Sequence, residues 1–427
     1  MNKVLIITYY WPPGGGAGVQ RWLKFAKYLP LHGLEPVILT VDPEYAAYPV
    51  PDNSLEKEIP VTLKVYKTPA QNFFRLFSRD KSSIPAAGFA KGSDYSCKGK
   101  LLKFVRGNFL IPDPRRGWNR FAFRKALGLI REENISTIIT TSPPHSTQLI
   151  GLRLKKKLPD IKWIADLRDP WTDIYYYREF YPLWLSRKID SGYEKRVLRS
   201  ADGIITVGES LRELFELKVP GTKEKTGIIY NGFDQEDFSG ISPGVPEIFT
   251  ISYIGTLSDA YPVSGLLNAL KVFHENGRNF KLRFIGAVSE KQKEKIRISF
   301  PPSHTEVIPY VNHQEAVRYM LESTILLLII PDHPGNKCII TGKLFEYLAS
   351  GKPVICLGPT DGDAAEILKK TGHGAAFSYD DKENISRYLN DVSANPQLYI
   401  KDLPGTYSKE YLTRQLASLI RKKTCST

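Results

Sequence analysis

Four stretches carry side chains that can do chemistry. In Gly342–Ile355, GKLFEYLASGKPVI, Lys343 and Glu346 stand three apart on one face of a helix, within its first turns. A carboxylate there can bind the two vicinal hydroxyls of a ribose. The lysine and the positive end of the helix can hold a diphosphate. In Ala165–Trp171, ADLRDPW, an apolar strand delivers Asp166, Arg168 and Asp169 to its C-terminal end, the face where open α/β sheets bind ligands. The same charges equally suit a buried ion-pair network that locks the loop.

In Ile139–Gly151, ITTSPPHSTQLIG, a strand ends in Thr140, Thr141 and Ser142. A Pro-Pro turn then sets His145 near a helix start, as a hydrogen-bonding group, a general base or a structural residue. The fourth stretch is the glycine cluster of MNKVLIITYYWPPGGGAGVQRWLKFAKYL, with Gly14, Gly15, Gly16 and Gly18 between a strand and a helix. Lacking side chains, these glycines let amide N–H groups face an anion at a helix N-terminus. The spacing is neither a G-x-G-x-x-G fingerprint nor a P-loop.

The elements that position these groups repeat in two series. Strands KVLIITYY, EPVILTVD, STIITTS, KWIADLRD and GIITVG alternate with helices through the first half. Strands FTISYIG, KLRFIG, TEVIPY, TILLLIIP and PVICLG do so in the second. Strands joined by crossover helices predict parallel sheets. The fold class expected is α/β, two Rossmann-like domains whose parallel sheets face a cleft.

The expected division is an N-terminal domain over 1–230 with a basic insertion around 71–114, a hinge over 231–248 and a C-terminal domain over 249–404. A C-terminal helix over 405–427 is expected to pack back on the N-terminal domain. No apolar run approaches the roughly 18 residues of a membrane span, and VLIITYYW reads as a strand rather than a signal peptide. The four cysteines are scattered without a C-x-x-C pair, which argues against zinc and a disulfide framework.

The net charge of +14 is concentrated. Between Lys64 and Arg131 there are 16 Lys/Arg against three acids, interleaved with Phe73, Phe74, Phe77, Phe104, Phe109, Trp118, Phe121 and Phe123. This pattern suits an anionic membrane surface rather than nucleic acid, with a solvated basic face as the plain alternative.

The motifs YYWPPGGGAGVQR, TSPPHSTQLIGL, ADLRDPW, YNGFD, YIGTL and KLFEYLASGKPVI resemble those of retaining glycosyltransferases of family 4, of the GT-B fold, in the subgroup that makes bacterial surface polysaccharides. The resemblance covers almost the whole chain. It implies transfer of a hexosyl or N-acetylhexosaminyl group from a nucleotide diphosphate-sugar, with retention and without metal or cofactor. The acceptor would be a glycan or polyprenyl-linked sugar, and the protein would lie in the cytoplasm, peripheral to the inner membrane face.

Carried over, the resemblance makes Glu346 the ribose carboxylate and Lys343 a phosphate or donor contact. Gly15 and Gly16 line the donor phosphate and sugar, and Pro309, Tyr310 and Val311 receive the base. Asp166, Arg168 and Asp169 stand where the family usually carries a histidine that touches the donor sugar.

Two positions depart from the family pattern. Cys338 replaces the first acid of a Glu-x7-Glu pair, and Gly255-Thr256 with Tyr261-Pro262 replaces a Gly-Arg and Lys-Gly phosphate clamp. Lys337, Lys343 and Arg168 are the residues expected to supply the missing charge. A sugar-nucleotide epimerase of the same fold and a non-catalytic nucleotide-sugar-binding module are the alternative readings.

Overall fold

A computed structural model describes residues 2–48, 51–71, 73, 97–241, 246–402 and 405–425. The chain forms two compact units, Met1–Asn231 with Lys409–Thr427, and Gly232–Ser408.

In the first unit, strands β1 (Asn2–Ile7), β2 (Leu34–Val41), β3 (Lys64–Thr68), β4 (Thr137–Ser142), β5 (Lys162–Leu167), β6 (Gly203–Thr206) and β7 (Thr226–Ile228) form a parallel sheet of order β3-β2-β1-β4-β5-β6-β7. Helices α1 (Ala17–Tyr28), α2 (Cys97–Phe109), α3 (Asn119–Glu132), α4 (Gln148–Lys157), α5 (Trp184–Ser200) and α6 (Glu209–Lys218) connect them. The inner strands are buried because helices cover both faces of such a sheet. β4, TIITTS, is buried at every position although only Ile138 and Ile139 in it are apolar. β3 breaks the apolar pattern because it is an edge strand, with Lys64 and Lys67 exposed.

In the second unit, β8 (Phe249–Ile254), β9 (Phe280–Ile285), β10 (Thr305–Ile308), β11 (Ile325–Ile329), β12 (Val354–Leu357) and β13 (Gly374–Phe377) follow the order β10-β9-β8-β11-β12-β13. Helices α7 (Ser264–Glu275), α8 (Glu290–Ser299), α9 (His313–Leu321), α10 (Gly342–Ala349), α11 (Asp363–Thr371), α12 (Lys382–Ala394) and α13 (Pro396–Tyr399) complete it. Its core joins Ile251, Tyr253, Leu282, Leu327 and Ile355 of the sheet to Leu270 and Phe273 of α7. The last helix, α14 (Lys409–Cys425), sets Leu412, Leu416, Ala417 and Ile420 into the core of the first unit beside Val19 and Leu23 of α1. That spacing is one face of an amphipathic helix.

Each sheet reverses its strand order once, between β1 and β4 in the first unit and between β8 and β11 in the second. Such switch points open a crevice outside the C-terminal strand ends. The stretch read as a linker lies with the second unit, and the chain crosses between units at Asn231 and again at Lys409. Within the first unit Lys409 Nζ donates to Asn231 O, and Arg21 donates to Tyr230 O at 2.8 Å and to Asn231 Oδ1 at 3.2 Å. Of the expected insertion around 71–114, residues 72 and 74–96, with Phe74 and Phe77, lie outside the described residues. α2 occupies part of the remainder.

Candidate functional site

In the second unit, β8 ends at Ile254 and Gly255 turns at φ 124°. An L side chain rarely adopts this conformation. Lys343, in the first turn of α10, lies over this turn. Its Nζ is 4.3 Å from the Tyr253 ring centroid and donates to Tyr253 Oη at 3.1 Å. Tyr253 Oη donates in turn to Thr256 O at 2.8 Å, and Tyr347 Oη accepts from Ile254 N at 3.1 Å. Two side chains of α10 thus hold its first turns against the end of β8.

Burial pushes the Lys343 ammonium down to about 8, against the pull of Glu346. Thr341, at the N-cap, makes no capping hydrogen bond, and its buried Oγ1 has no partner among the described residues. The α10 N-terminus therefore presents amide donors that no side chain caps, beside a desolvated cation. Glu346 is partly exposed one turn further on.

The neighbouring strand ends form a continuous rim. Gly255 N donates to Ile285 O at 2.7 Å, and Gly286 N donates to Ile308 O at 2.9 Å. These amides are occupied, so Gly255 serves by having no side chain rather than by offering its N–H. Pro309, Tyr310 and Val311 continue β10, two strand positions from β8, a span on the order of 10 Å. Tyr310 is 78% exposed. Thr256 is partly exposed beside Gly255.

Lys337 does not join this group. It pairs with Asp361 on the surface, both side chains more than half exposed, and this pairing holds the Asp361 carboxyl below its usual range. Cys338 lies in the same turn, its Sγ 3.2 Å from Gly335 O.

In the first unit, Asp166 is fully buried. Its carboxylate accepts from Arg21 Nη2 at 3.2 Å, Trp22 Nε1 at 2.8 Å and Thr141 Oγ1 at 2.8 Å. Its carbonyl accepts from Gln148 Nε2 at 2.9 Å. The expectation that Asp166 is catalytic is therefore corrected. It has no surface to offer a substrate and instead ties α1, β4 and α4 to β5.

Arg168 lies nearer the surface, with its side chain 9% exposed and its Nε 3.9 Å from the Asp166 carboxylate. Its Nε donates to Ser142 O at 3.0 Å, and its guanidinium rests on Gly18, where a Cβ would stand 3.1 Å from Nη1. Arg168 thus sits at the N-terminus of α1. There Gly16 turns at φ 96°, and the amides of Gly15 and Gly16 make no hydrogen bond among the described residues. A cation, a helix N-terminus and open amides make this cluster competent for an anion. Next to Arg168, burial raises the Asp169 carboxyl and the guanidinium opposes it.

The structure places His145 in a cavity wall. Its ring stacks on Trp171 at 4.9 Å and 14°, and both ring nitrogens are buried without partners among the described residues. Burial first, then Lys218 and Arg168, push it down to about 3. It is therefore neutral near pH 7 and a poor proton acceptor.

His145 borders a cavity of about 70 Å³ shared with Tyr10, Arg106, Arg115, Trp171 and Tyr176. Arg106 lies 3.9 Å from the Phe180 ring centroid, is pushed down to about 10 by burial, and has no acid or hydrogen-bond partner among the described residues. Trp171 Nε1 donates at 2.8 Å to Asp190, whose carboxyl burial raises to about 6. Sequence reasoning missed this cavity. Its signals were Arg106 and Arg115, counted only as net charge, and the aromatic run IYYYREF of residues 174–180.

Residues 91–237 match the family model Glycosyltransferase Family 4, and residues 234–402 match Glycosyl transferases group 1. No curated protein matches the sequence. Among solved structures, the chain is similar to a glycosyltransferase from Rickettsia africae, with TM-score 0.61, 14% identity and 100% of both chains covered. It is also similar to HepE of Anabaena in complex with UDP, with TM-score 0.58, 14% identity and coverage of 99% of this chain and 97% of that one. A third is the lipopolysaccharide outer core galactosyltransferase WaaB, with TM-score 0.59, 14% identity and 99% of both chains covered. At such identity these likenesses establish the fold. With two parallel-sheet units of this architecture, and two glycosyltransferase models that together span residues 91–402, the chain belongs to the GT-B glycosyltransferases.

Proposed function

We propose that the protein transfers a hexosyl or N-acetylhexosaminyl group, with retention, from a nucleotide diphosphate-sugar to a glycan or polyprenyl-linked acceptor. The pathway would be bacterial cell-surface polysaccharide synthesis at the inner face of the membrane. The observation that carries this reading is the α10 N-terminus, where Lys343 is desolvated over Tyr253 and Gly255 with Glu346 one turn beyond. The UDP complex of HepE and the lipopolysaccharide role in the name of WaaB support it.

When a nucleoside diphosphate leaves the anomeric carbon, negative charge grows on its terminal phosphate. In this proposal the Lys343 ammonium and the uncapped α10 amides meet that charge, and no metal is required. A preorganised donor in a water-poor site contributes far more than it would in water. Glu346 takes the ribose hydroxyls, and Pro309–Val311 take the base. In the first unit Arg168, Gly15 and Gly16 receive a phosphate. Attack by the acceptor on the face the diphosphate leaves accounts for retention without a protein nucleophile.

The experiment is transfer from a panel of nucleotide sugars with Glu346→Ala. The expected result is a loss of about 10²–10³ in rate with little change in thermal midpoint. Wild-type turnover in that variant refutes the assignment. Release of a free epimer without acceptor, or donor binding without turnover across the acceptor panel, favours the epimerase or the binding module instead.

A further inference from the structure

Two segments distant in sequence hold large apolar side chains in water on one face of the first unit. α2 exposes Leu101, Leu102 and Phe109, and the stretch entering α5 exposes Tyr181, Leu183, Trp184, Leu185 and Ile189. The segments are bound to each other. Asn108 Oδ1 accepts from Leu183 N at 2.7 Å and from Ser186 Oγ at 2.9 Å, while its Nδ2 donates to Tyr181 O at 3.1 Å. Gly107 backs onto the same loop so closely that a Cβ would stand 2.2 Å from Phe180 O. The patch is therefore a fixed surface.

Six tryptophans are present in the chain. Trp11, Trp22, Trp118, Trp163 and Trp171 are each at most 2% exposed, whereas Trp184 is 68% exposed. An indole left in water among leucines and a phenylalanine has no folding rationale, but it is suited to the headgroup level of a bilayer. The charge around it has one sign. Residues 97–109 and 178–189 together hold seven Lys/Arg and a single acid, Glu179. Lys188 Nζ lies 5.0 Å from the Trp184 ring centroid. Leu185 and Ile189 fall on one face of α5, a turn apart.

We propose that this face is the lipid-docking surface of the protein. The apolar side chains of Phe109, Leu183, Trp184 and Leu185 enter the headgroup boundary of an anionic bilayer, and Lys100, Arg187 and Lys188 meet its phosphates. Apolar insertion ringed by cations fits lipid better than a protein partner, because every exposed cation of the patch finds an anion on a lipid surface. Among the described residues no helix is long and apolar enough to cross a membrane, so contact through them is peripheral. The inference rests on the membrane part of the proposed function. Its test reads binding alone, so failure here leaves the donor site, tested by Glu346→Ala, untouched.

The test adds phosphatidylcholine vesicles, with and without phosphatidylglycerol, to the full chain and follows sedimentation and iodide quenching of tryptophan. Trp184 is the water-exposed indole, so quenching reports on it. The expected result is sedimentation with the anionic vesicles that weakens with salt, together with loss of iodide quenching. The double variant Trp184→Ser/Leu185→Ser, both sites exposed, should bind about tenfold more weakly or worse at an unchanged thermal midpoint. Three results overturn the proposal: anionic vesicles that sediment wild type and variant alike, vesicle-bound wild type whose tryptophan stays quenchable, or a lipid-free dimer that shields Trp184 and disappears in the variant. The quenching arm uses wild type alone and stands even if the variant misfolds.

Discussion

Lys343 lies directly over Gly255. A Cβ on the glycine would stand 2.5 Å from Lys343 Nζ and 2.7 Å from Cε. The glycine gives the lysine its seat, and the lysine brings a cation to the end of the strand. Where the resemblance leads one to expect an Arg after this glycine, the chain has Thr256, and the cation found over the glycine is Lys343 of α10.

Gly255→Ala tests this seat. The new methyl displaces Lys343, and φ 124° strains any L residue. We expect a destabilisation of about 1–3 kcal/mol and nucleotide-sugar affinity reduced about tenfold or more, read by calorimetry. A variant that binds donor as wild type does would show that Lys343 is not held there for the donor.

Lys343 also makes a pH prediction. Its folded value is about 8 against the ordinary 10.5. The donor-free protein loses this charge as pH rises through about 8, so affinity for an anionic donor falls across that range. Lys343→Met should flatten the profile. The stability effect has the opposite sign. Between about 8 and 10.5 the unfolded chain holds more protons than the folded one, so stability rises with pH in that window. Below it the desolvation cost is present in full. Near pH 7 Lys343→Met should therefore stabilise the donor-free protein by on the order of 1 kcal/mol while weakening donor binding. A less stable variant in thermal melts would contradict the desolvation argument.

Asp166→Asn separates a structural from a catalytic aspartate. The substitution keeps the shape but removes the charge that balances buried Arg21. Breaking one side of such a pair costs about 3–5 kcal/mol, read as a lowered urea midpoint. Asp166 itself is inaccessible, so any loss of turnover per folded molecule beyond a few-fold would be transmitted through Arg168, whose Nε stands 3.9 Å from its carboxylate.

His145→Phe asks whether the imidazole moves protons. Neither ring nitrogen has a partner among the described residues, and the ring stacks on Trp171. Phenylalanine keeps the stack, so thermal stability should hold or rise, and transfer should change little in rate or pH profile. A fall of about 10²–10⁴, the usual range for a lost general base, would restore His145 to the chemistry.

Much of the fold is legible in the sequence. Runs such as KVLIIT and TILLLII announce strands buried on both faces, and the helices between them announce parallel sheets. The strands without such a signal are β3, an edge carrying lysines, and the short β7 and β13. α8 was equally obscure, since only Gln292 and Ile296 on it are buried. Edge strands and solvated helices lack the apolar periodicity from which a sequence is read.

At the sites, sequence spacing set Lys343 and Glu346 on one helix turn and Arg168 at a strand end, because both follow from local geometry. Tertiary structure alone decided which charge is sealed in the core and which reaches a helix end. Asp166 and Arg168 are two residues apart and alike in polarity. Yet parallel pairing with β4 buries the first against Arg21 and Trp22, while the missing side chain of Gly18 leaves room for the second at the helix end. Burial and partnering depend on segments more than a hundred residues away, and no local pattern encodes them.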